Sequence, residues 1–352
     1  MRKQDIIDLI EAHLKNNDAA FVNKVYDIAR EFSENGDKDI AEYLVGQVTP
    51  SLRMNAQDTT DISLKSSFFR KIPSSREQFL LPDVLADQLK GLVNAVGKNI
   101  GINKFLFTGL PGTGKTEAAK QLARVLHRDL YVVNFDTLVD SRLGMTAKNI
   151  VALFTEINNF VMPQKALFLF DEIDTIALDR INKNDIREMG RATSTLLRCL
   201  DDLSRNVLLI ATTNLQKQLD TALKRRFDAI IDFDQYSFED LFNVASSYID
   251  SLSEHNIQIE KDSRLLKKII SYSDETLTPG RIKSMLRTSI AFSDGYGKDY
   301  LRRFYLLCKK ESNDGLEELE RLKEAGFSYR DMEVLTLKSK SDIFRLLKEE
   351  TN

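Results

Sequence analysis

An apolar run, a glycine-rich turn and a stretch of helical periodicity follow one another directly over residues 105–126, and no other segment restricts the fold as strongly. Phe105, Leu106 and Phe107 read as a strand buried on both faces. Gly109, Leu110, Pro111, Gly112, Thr113, Gly114, Lys115 and Thr116 then fit the spacing G-x-x-x-x-G-K-[ST]. Ala118, Ala119, Leu122, Ala123 and Leu126 recur as on a helix that faces a sheet. Glycines let the backbone turn tightly enough for successive N–H groups and a helix N-terminus to converge on phosphate oxygens. Lys115 adds a positive charge for the β- and γ-phosphates, the Thr116 hydroxyl suits Mg2+, and Glu117 closes the expected binding segment. The spacing predicts a chain that binds a nucleoside triphosphate together with Mg2+.

The rest of the composition is that of a globular protein. The chain has 352 residues, 42% hydrophobic and 29% charged, with a formal net charge of −3. That length permits two or three domains, and the charge gives no general footprint for nucleic acid or an anionic membrane. No apolar run approaches the ~20 residues of a membrane span. Asp5, Asp8 and Glu11 interrupt the apolar positions near the start, which argues against a secretory signal. Cys199 and Cys308 stand in apolar helical contexts and read as reduced core thiols of a cytoplasmic protein. His13, His127 and His255 are scattered, without the spacing of a zinc site.

The expected fold is α/β: a parallel-sheet nucleotide-binding core with a helical lid, a small N-terminal helical bundle and a helical C-terminal tail. Residues 1–48 carry Ile6, Ile7, Ile10 and Leu14, then Phe21, Val22, Val25 and Ile28, at helical spacing. Six Lys and Arg against ten Asp and Glu make this bundle acidic, and it fits either a solvated bundle or a docking module for a protein partner. Residues 49–77 are polar and aperiodic and read as a linker. Strands are expected at 131–135, 166–170, 207–212 and 229–233 within an α/β domain over 78–234. A lid over 235–311 and a tail over 312–352 complete the division.

Two further strands end in polar groups. Phe170 is followed by Asp171 and Glu172, and Ala211 by Thr212, Thr213 and Asn214. In such sheets the C-terminal strand ends carry the ligand. Asp171 is expected to hold Mg2+ with Thr116, Glu172 to polarise the attacking water, and Asn214 to position it. Arg225 and Arg226 offer guanidiniums that can stabilise charge spreading from a γ-phosphate.

The glycine loop, the acid-ended strand, the Asn-ended strand and the Arg225-Arg226-Phe227 turn resemble, in this order, the AAA ATPases over about residues 78–293. The resemblance implies a ring or spiral of identical subunits, commonly a hexamer, with Arg225 and Arg226 acting on the neighbour's nucleotide. It also implies a second sensor at Arg281, after Pro279 and Gly280, reaching the γ-phosphate in cis. Arg142, Leu143 and Gly144 resemble the family's pore loop, although Arg142 stands where an aromatic is common. Gripping by Leu143 and Arg142, or remodelling without full translocation, both remain open.

The overall layout is similar to ATPase subunits encoded beside subtilisin-like serine proteases in bacterial defence and plasmid-incompatibility systems. This implies remodelling or regulation of a separately encoded protease. The alternative is a DNA-associated motor, because residues 328–347 resemble a helix-turn-helix. Lys338, Lys340, Arg345 and Lys348 give that unit a mildly basic face, yet residues 312–352 hold seven basic against ten acidic groups. That balance favours a structural or protein-docking helical tail over DNA readout.

Overall fold

Strands that lie between two layers of helices must be apolar on both faces, and the central runs of this chain obey that demand. Strand β4 (Ala166–Phe170) is buried at every position, and so is β5 (Leu208–Thr213). With β1 (Phe69–Ile72), β2 (Lys104–Thr108), β3 (Asp129–Val133) and β6 (Ala229–Asp232) they form one six-stranded sheet of order β1-β3-β4-β5-β2-β6. β4 runs parallel to both β3 and β5, with Leu167 opposite Leu130 and Leu208. The computed structural model describes residues 3–14, 18–41, 43–45, 66–73, 80–98, 100–139, 144–177, 186–215, 219–254, 259–273, 276–293, 297–309 and 315–349. Among them, no helix is long and apolar enough to cross a membrane.

β1 falls inside the stretch that reads as a linker. It pairs antiparallel with β3, Phe69 opposite Val133. Its anchor is aromatic: the Phe69 ring lies 5.4 Å from Phe168 and 5.7 Å from Tyr131, edge-on in both cases. Two serines before this strand and a basic pair within it hide that anchor from a composition scan.

The chain divides into two compact units. The first comprises Met1–Glu77, Gly91–Phe107 and Ala119–Ile230. Its core gathers Leu106, Phe154, Phe168, Phe170, Leu196 and Leu209 between helices α5 (Met145–Asn158) and α7 (Ile186–Asp201) and the sheet. The N-terminal bundle belongs to this unit. Its helices α1 (Lys3–Leu14) and α2 (Asp18–Glu34) bury Val22, Val25, Ile28 and Ala29, and Lys24 bridges Asp5 at 3.0 Å and Asp8 at 2.9 Å. Further helical turns follow at 38–41 and 43–45. Arg30 donates to the Asn159 carbonyl at 2.6 Å, which ties α2 to the end of α5.

The second unit comprises Gln78–Lys90, Thr108–Ala118 and Ile231–Asn352. Helices α9 (Phe238–Glu254), α10 (Ser263–Tyr272), α11 (Pro279–Ala291) and α12 (Asp299–Cys308) form a lid. The tail helices α13 (Leu316–Glu324), α14 (Tyr329–Thr336) and α15 (Lys340–Glu349) do not build a core of their own. Leu319, Leu322, Met332, Leu335, Ile343 and Leu347 share one apolar cluster with Ile269, Leu286 and Phe304 of the lid. Packing thus joins what the chain order presents as two segments. Cys199 and Cys308 are both buried, and neither is in a disulfide among the described residues.

A single carboxylate fastens the tail. Asp331 is only 2% exposed and closes a capping box with Ser328 at the start of α14. Arg264 reaches it at 2.5 Å and Lys268 at 3.1 Å, both from α10. Burial pushes the carboxyl up, but the Ser328 N–H, Arg264 and Lys268 outweigh it and hold the pKa down at about 2. The bound form is the charged one. Its stabilisation is therefore complete above the ordinary carboxylate value of ~3.9 and disappears as pH falls from there to about 2. Asp331→Asn should cost on the order of 3 kcal/mol, since it leaves two cations facing a neutral amide. Urea unfolding at pH 7 should show that loss, and the decline between pH 4 and 2 should be smaller in the variant than in the wild type.

Candidate active site

The glycine turn begins where β2 ends. Leu110 donates its N–H to Asp234 Oδ1 at 2.7 Å. Lys115 opens helix α4 (Lys115–Val125) and is 6% exposed, because its amine folds back to donate to the Gly109 carbonyl at 2.7 Å and the Leu110 carbonyl at 2.9 Å. The Thr113 hydroxyl donates to the same Leu110 carbonyl at 2.9 Å. The Tyr236 hydroxyl donates to the Thr113 carbonyl at 2.9 Å, and burial, reinforced by Asp240, pushes its pKa up so that the donor proton stays in place. Thr116 and Glu117 occupy the next positions of α4, half-buried, while Pro111 is exposed.

The lid seals the other side of the turn. Gly280 donates its N–H to the Gly112 carbonyl at 2.8 Å, and the Thr278 hydroxyl donates to the Pro111 carbonyl at 3.2 Å. Thr278 is the N-cap of α11. Gly112 has φ +80, and a Cβ on Gly280 would stand 2.9 Å from the Gly112 Cα and 3.0 Å from its carbonyl oxygen. No side chain fits between these two backbones. Arg281 follows immediately, exposed, its own N–H directed at the Thr278 hydroxyl at 3.4 Å.

In the first unit, Asp171, Glu172 and Asn214 come together through a residue that does not stand out in the sequence. Thr212 donates its hydroxyl to Asp171 Oδ1 at 2.6 Å and accepts the Glu172 N–H at 2.9 Å. Its carbonyl accepts the Ile173 N–H at 3.0 Å. Glu172 is exposed and has φ +57, a left-handed backbone that a non-glycine residue adopts at a cost of roughly 1–3 kcal/mol. The Asn214 amide reaches the Glu172 carboxylate with a long contact of 3.4 Å. Asp174, buried in the following turn, leaves Oδ1 without a hydrogen-bond partner among the described residues.

The paired arginines differ. Arg226 spans both oxygens of Asp201 at 3.1 and 3.2 Å and donates to the Ala222 carbonyl at 3.2 Å. Arg225 is exposed and makes no side-chain hydrogen bond or ion pair with the described residues. Arg142 and Leu143 lie outside the described residues. Gly144, with φ +78, precedes α5 as its N-cap. Sequence reading passes over Thr212, Asp234, Tyr236 and Thr278, of which only Thr212 left a signal, as a hydroxyl ending an apolar strand.

A parallel sheet, a glycine turn running into a helix N-terminus and a lysine folded onto that turn define a phosphate-loop nucleotide-binding domain. Residues 105–235 match the family described as "ATPase family associated with various cellular activities (AAA)". It is 39% identical over 133 residues to the uncharacterized AAA family ATPase y4kL of Sinorhizobium fredii, a match covering 38% of this chain and 39% of that protein. It is 32% identical over 149 residues to a putative 26S proteasome regulatory subunit homolog of Methanothermobacter thermautotrophicus, covering 42% and 39%. The chain thus spans about two fifths of the length of these curated relatives. Among solved structures, a chain of the E. coli MS115-1 HORMA:CdnC:Trip13 complex superposes with TM-score 0.53 at 17% identity, over 71% of this chain and 96% of that one. The FIGL-1 AAA domain in complex with ADP gives 0.52 at 16%, over 74% and 93%. These two establish the shared fold.

The Gly112–Gly280 contact yields a direct test. Gly280→Ala should leave the circular dichroism spectrum unchanged while weakening nucleotide binding about tenfold or more, because the methyl group displaces the turn itself. Titration with a fluorescent ADP analogue measures it. Wild-type affinity in that variant would contradict the described geometry.

Proposed function

We propose that this chain is an oligomeric ATPase that hydrolyses ATP with Mg2+ to remodel a protein partner. The strained backbone of Glu172, held between the Thr212 hydroxyl and the Asn214 amide, is the observation that carries this reading. A left-handed glutamate persists only where its surroundings over-determine it, and such positions concentrate at reacting centres.

In this reading Gly109, Gly112, Gly114 and Lys115 receive the phosphates. Thr116 and Asp171 supply a hydroxyl and a carboxylate, the hard oxygen donors a Mg2+ ion takes. Bound there, the ion neutralises charge on the phosphates during transfer. Thr212 orients Asp171, Glu172 polarises the attacking water, and Asn214 fixes the direction of the Glu172 carboxylate. Because Arg226 is engaged by Asp201 within its own subunit, Arg225 is the guanidinium left for a neighbour's γ-phosphate. Arg281, at the start of the lid helix bonded to the turn, is suited to act in cis.

The finer reading is a homohexameric ring in the bacterial cytoplasm that regulates a separately encoded subtilisin-like serine protease in a defence system. The acidic N-terminal bundle is the docking module, and α1 leaves Ile6, Ile7, Ile10 and Leu14 exposed for it. Arg142, Leu143 and Gly144 are the residues proposed to touch the client. A DNA-associated motor is the second reading, favoured by the turn at Leu337, whose φ of +58 joins α14 to α15. Two of its four basic groups are already paired, Lys340 with Glu333 at 3.2 Å and Arg345 with Asp342 at 3.5 Å, which leaves little charge for phosphates.

Glu172→Gln should lower ATP turnover by roughly 10²-fold or more while nucleotide affinity is kept. Phosphate release and equilibrium binding, measured side by side, test this, and near-normal turnover would refute the assignment. Arg225→Ala and Lys115→Ala should each be inactive alone, and their mixture should recover part of the activity. Arg226→Ala should instead lower the melting temperature. Assembled mixed oligomers that stay inactive would rule out an arginine acting in trans.

A further inference from the structure

At the edge of the sheet opposite Asp171 and Asn214, the N-terminal ends of β3, β4 and β5 meet the second helix of the bundle around a cavity of about 440 Å3. Its lining is unusually cationic. Arg30 and Lys38 enter from the bundle, Arg128 from the residue before β3 and Arg205 from the loop before β5, while Glu34 is the only carboxylate among its described lining residues. A second hollow of about 360 Å3 shares Lys38, Arg128 and Gln164 with it.

Three of these four cations have no ion-pair partner among the described residues. Arg128 donates to the Ala166 carbonyl at 3.1 Å and the Pro163 carbonyl at 3.4 Å, and has no carboxylate partner among the described residues. Burial lowers its pKa, the mark of a guanidinium held in a desolvated place without a counter-charge. Lys38 and Arg205 likewise lack an anionic partner among the described residues. Arg30 gives one nitrogen to Asn159, keeps Nε buried without a hydrogen-bond partner among the described residues, and pairs with the exposed Asp27 at 4.0 Å. Like charges gathered around one space repel one another unless an anion occupies it. Guanidiniums in particular match phosphate oxygens in a fork geometry, and the volume is that of a small-ligand pocket.

We propose that this cavity binds a phosphorylated small molecule of up to nucleotide size, independently of the phosphate loop. The anion joins Arg30 and Lys38 of the bundle to Arg128 and Arg205 beneath the sheet. It reinforces the seam already held by Arg30–Asn159 and by the hydrogen bond from Gln164 to the Ser33 hydroxyl. Occupancy therefore stiffens the attachment of the bundle, the proposed docking module, without touching a residue proposed for hydrolysis.

The test uses the full chain with saturating ADP and Mg2+, so that the phosphate loop is filled. Isothermal titration at low salt with inorganic pyrophosphate, and separately with AMP, should show one saturable site per chain. Binding by both marks a phosphate reader, and binding by AMP alone marks a nucleotide reader; either supports the proposal. Lys38→Ala and Arg205→Ala, neither of which removes a hydrogen bond of the fold, should each weaken binding about tenfold. Lys115→Ala should leave it unchanged. Hydrogen exchange should slow in residues 18–41 on addition of the ligand. Absence of binding by both probes, binding lost in Lys115→Ala, binding that survives Lys38→Ala/Arg205→Ala, or preference for a poly-glutamate peptide over both probes would each overturn the proposal.

Discussion

Burial of β4 and β5 on both faces is the constraint on which the rest depends. A strand enclosed by two layers is apolar over most of its length, because an unpaired buried polar group costs roughly 1–3 kcal/mol. Polar groups therefore collect at the first position where a strand leaves the layers. Asp171 and Glu172 at the end of β4, and Thr212, Thr213 and Asn214 at the end of β5, stand at that boundary. Because the two strands run parallel and in register, Phe170 opposite Ala211, their polar ends are brought side by side. The Thr212 hydroxyl then bridges Asp171 and the Glu172 N–H. Chemistry at this edge of the sheet follows from what the interior refuses.

Features set by neighbours in the chain were legible before any coordinates. The glycine turn and the run 166–170 depend on local spacing. Features set by distant partners were not. Asp234 and Tyr236 support the phosphate loop from 124 and 123 residues away. The distinction between Arg225 and Arg226 rests on Asp201, 25 residues upstream, and adjacent identical residues give no hint of it. β1 escapes notice because four residues with one strong aromatic do not make a periodic pattern. Glu172 carries no sequence sign of its left-handed backbone at all.

The two kinds of electrostatics in the chain differ in a way that clarifies both. At Asp331, two cations and a backbone N–H surround one buried anion, so the charges are satisfied and the result is mechanical fastening. Around Arg128 the balance is reversed, with several cations facing one carboxylate and carbonyl oxygens absorbing part of the field. A satisfied cluster contributes stability, whereas an unsatisfied one is held in place by the surrounding fold. The same fold thus contains a closed electrostatic knot and an open one.

The shared core of lid and tail has a bearing on synthesis. Helix α11, which bonds to the phosphate turn through Gly280, is packed by a cluster that also requires Leu322, Leu335 and Leu347. During translation the sheet strands and the turn emerge first, but the cluster supporting α11 stays incomplete until residue 347 has cleared the ribosome. A nascent chain therefore passes through a long interval with its nucleotide-gripping loop made and the backing for that loop unfinished.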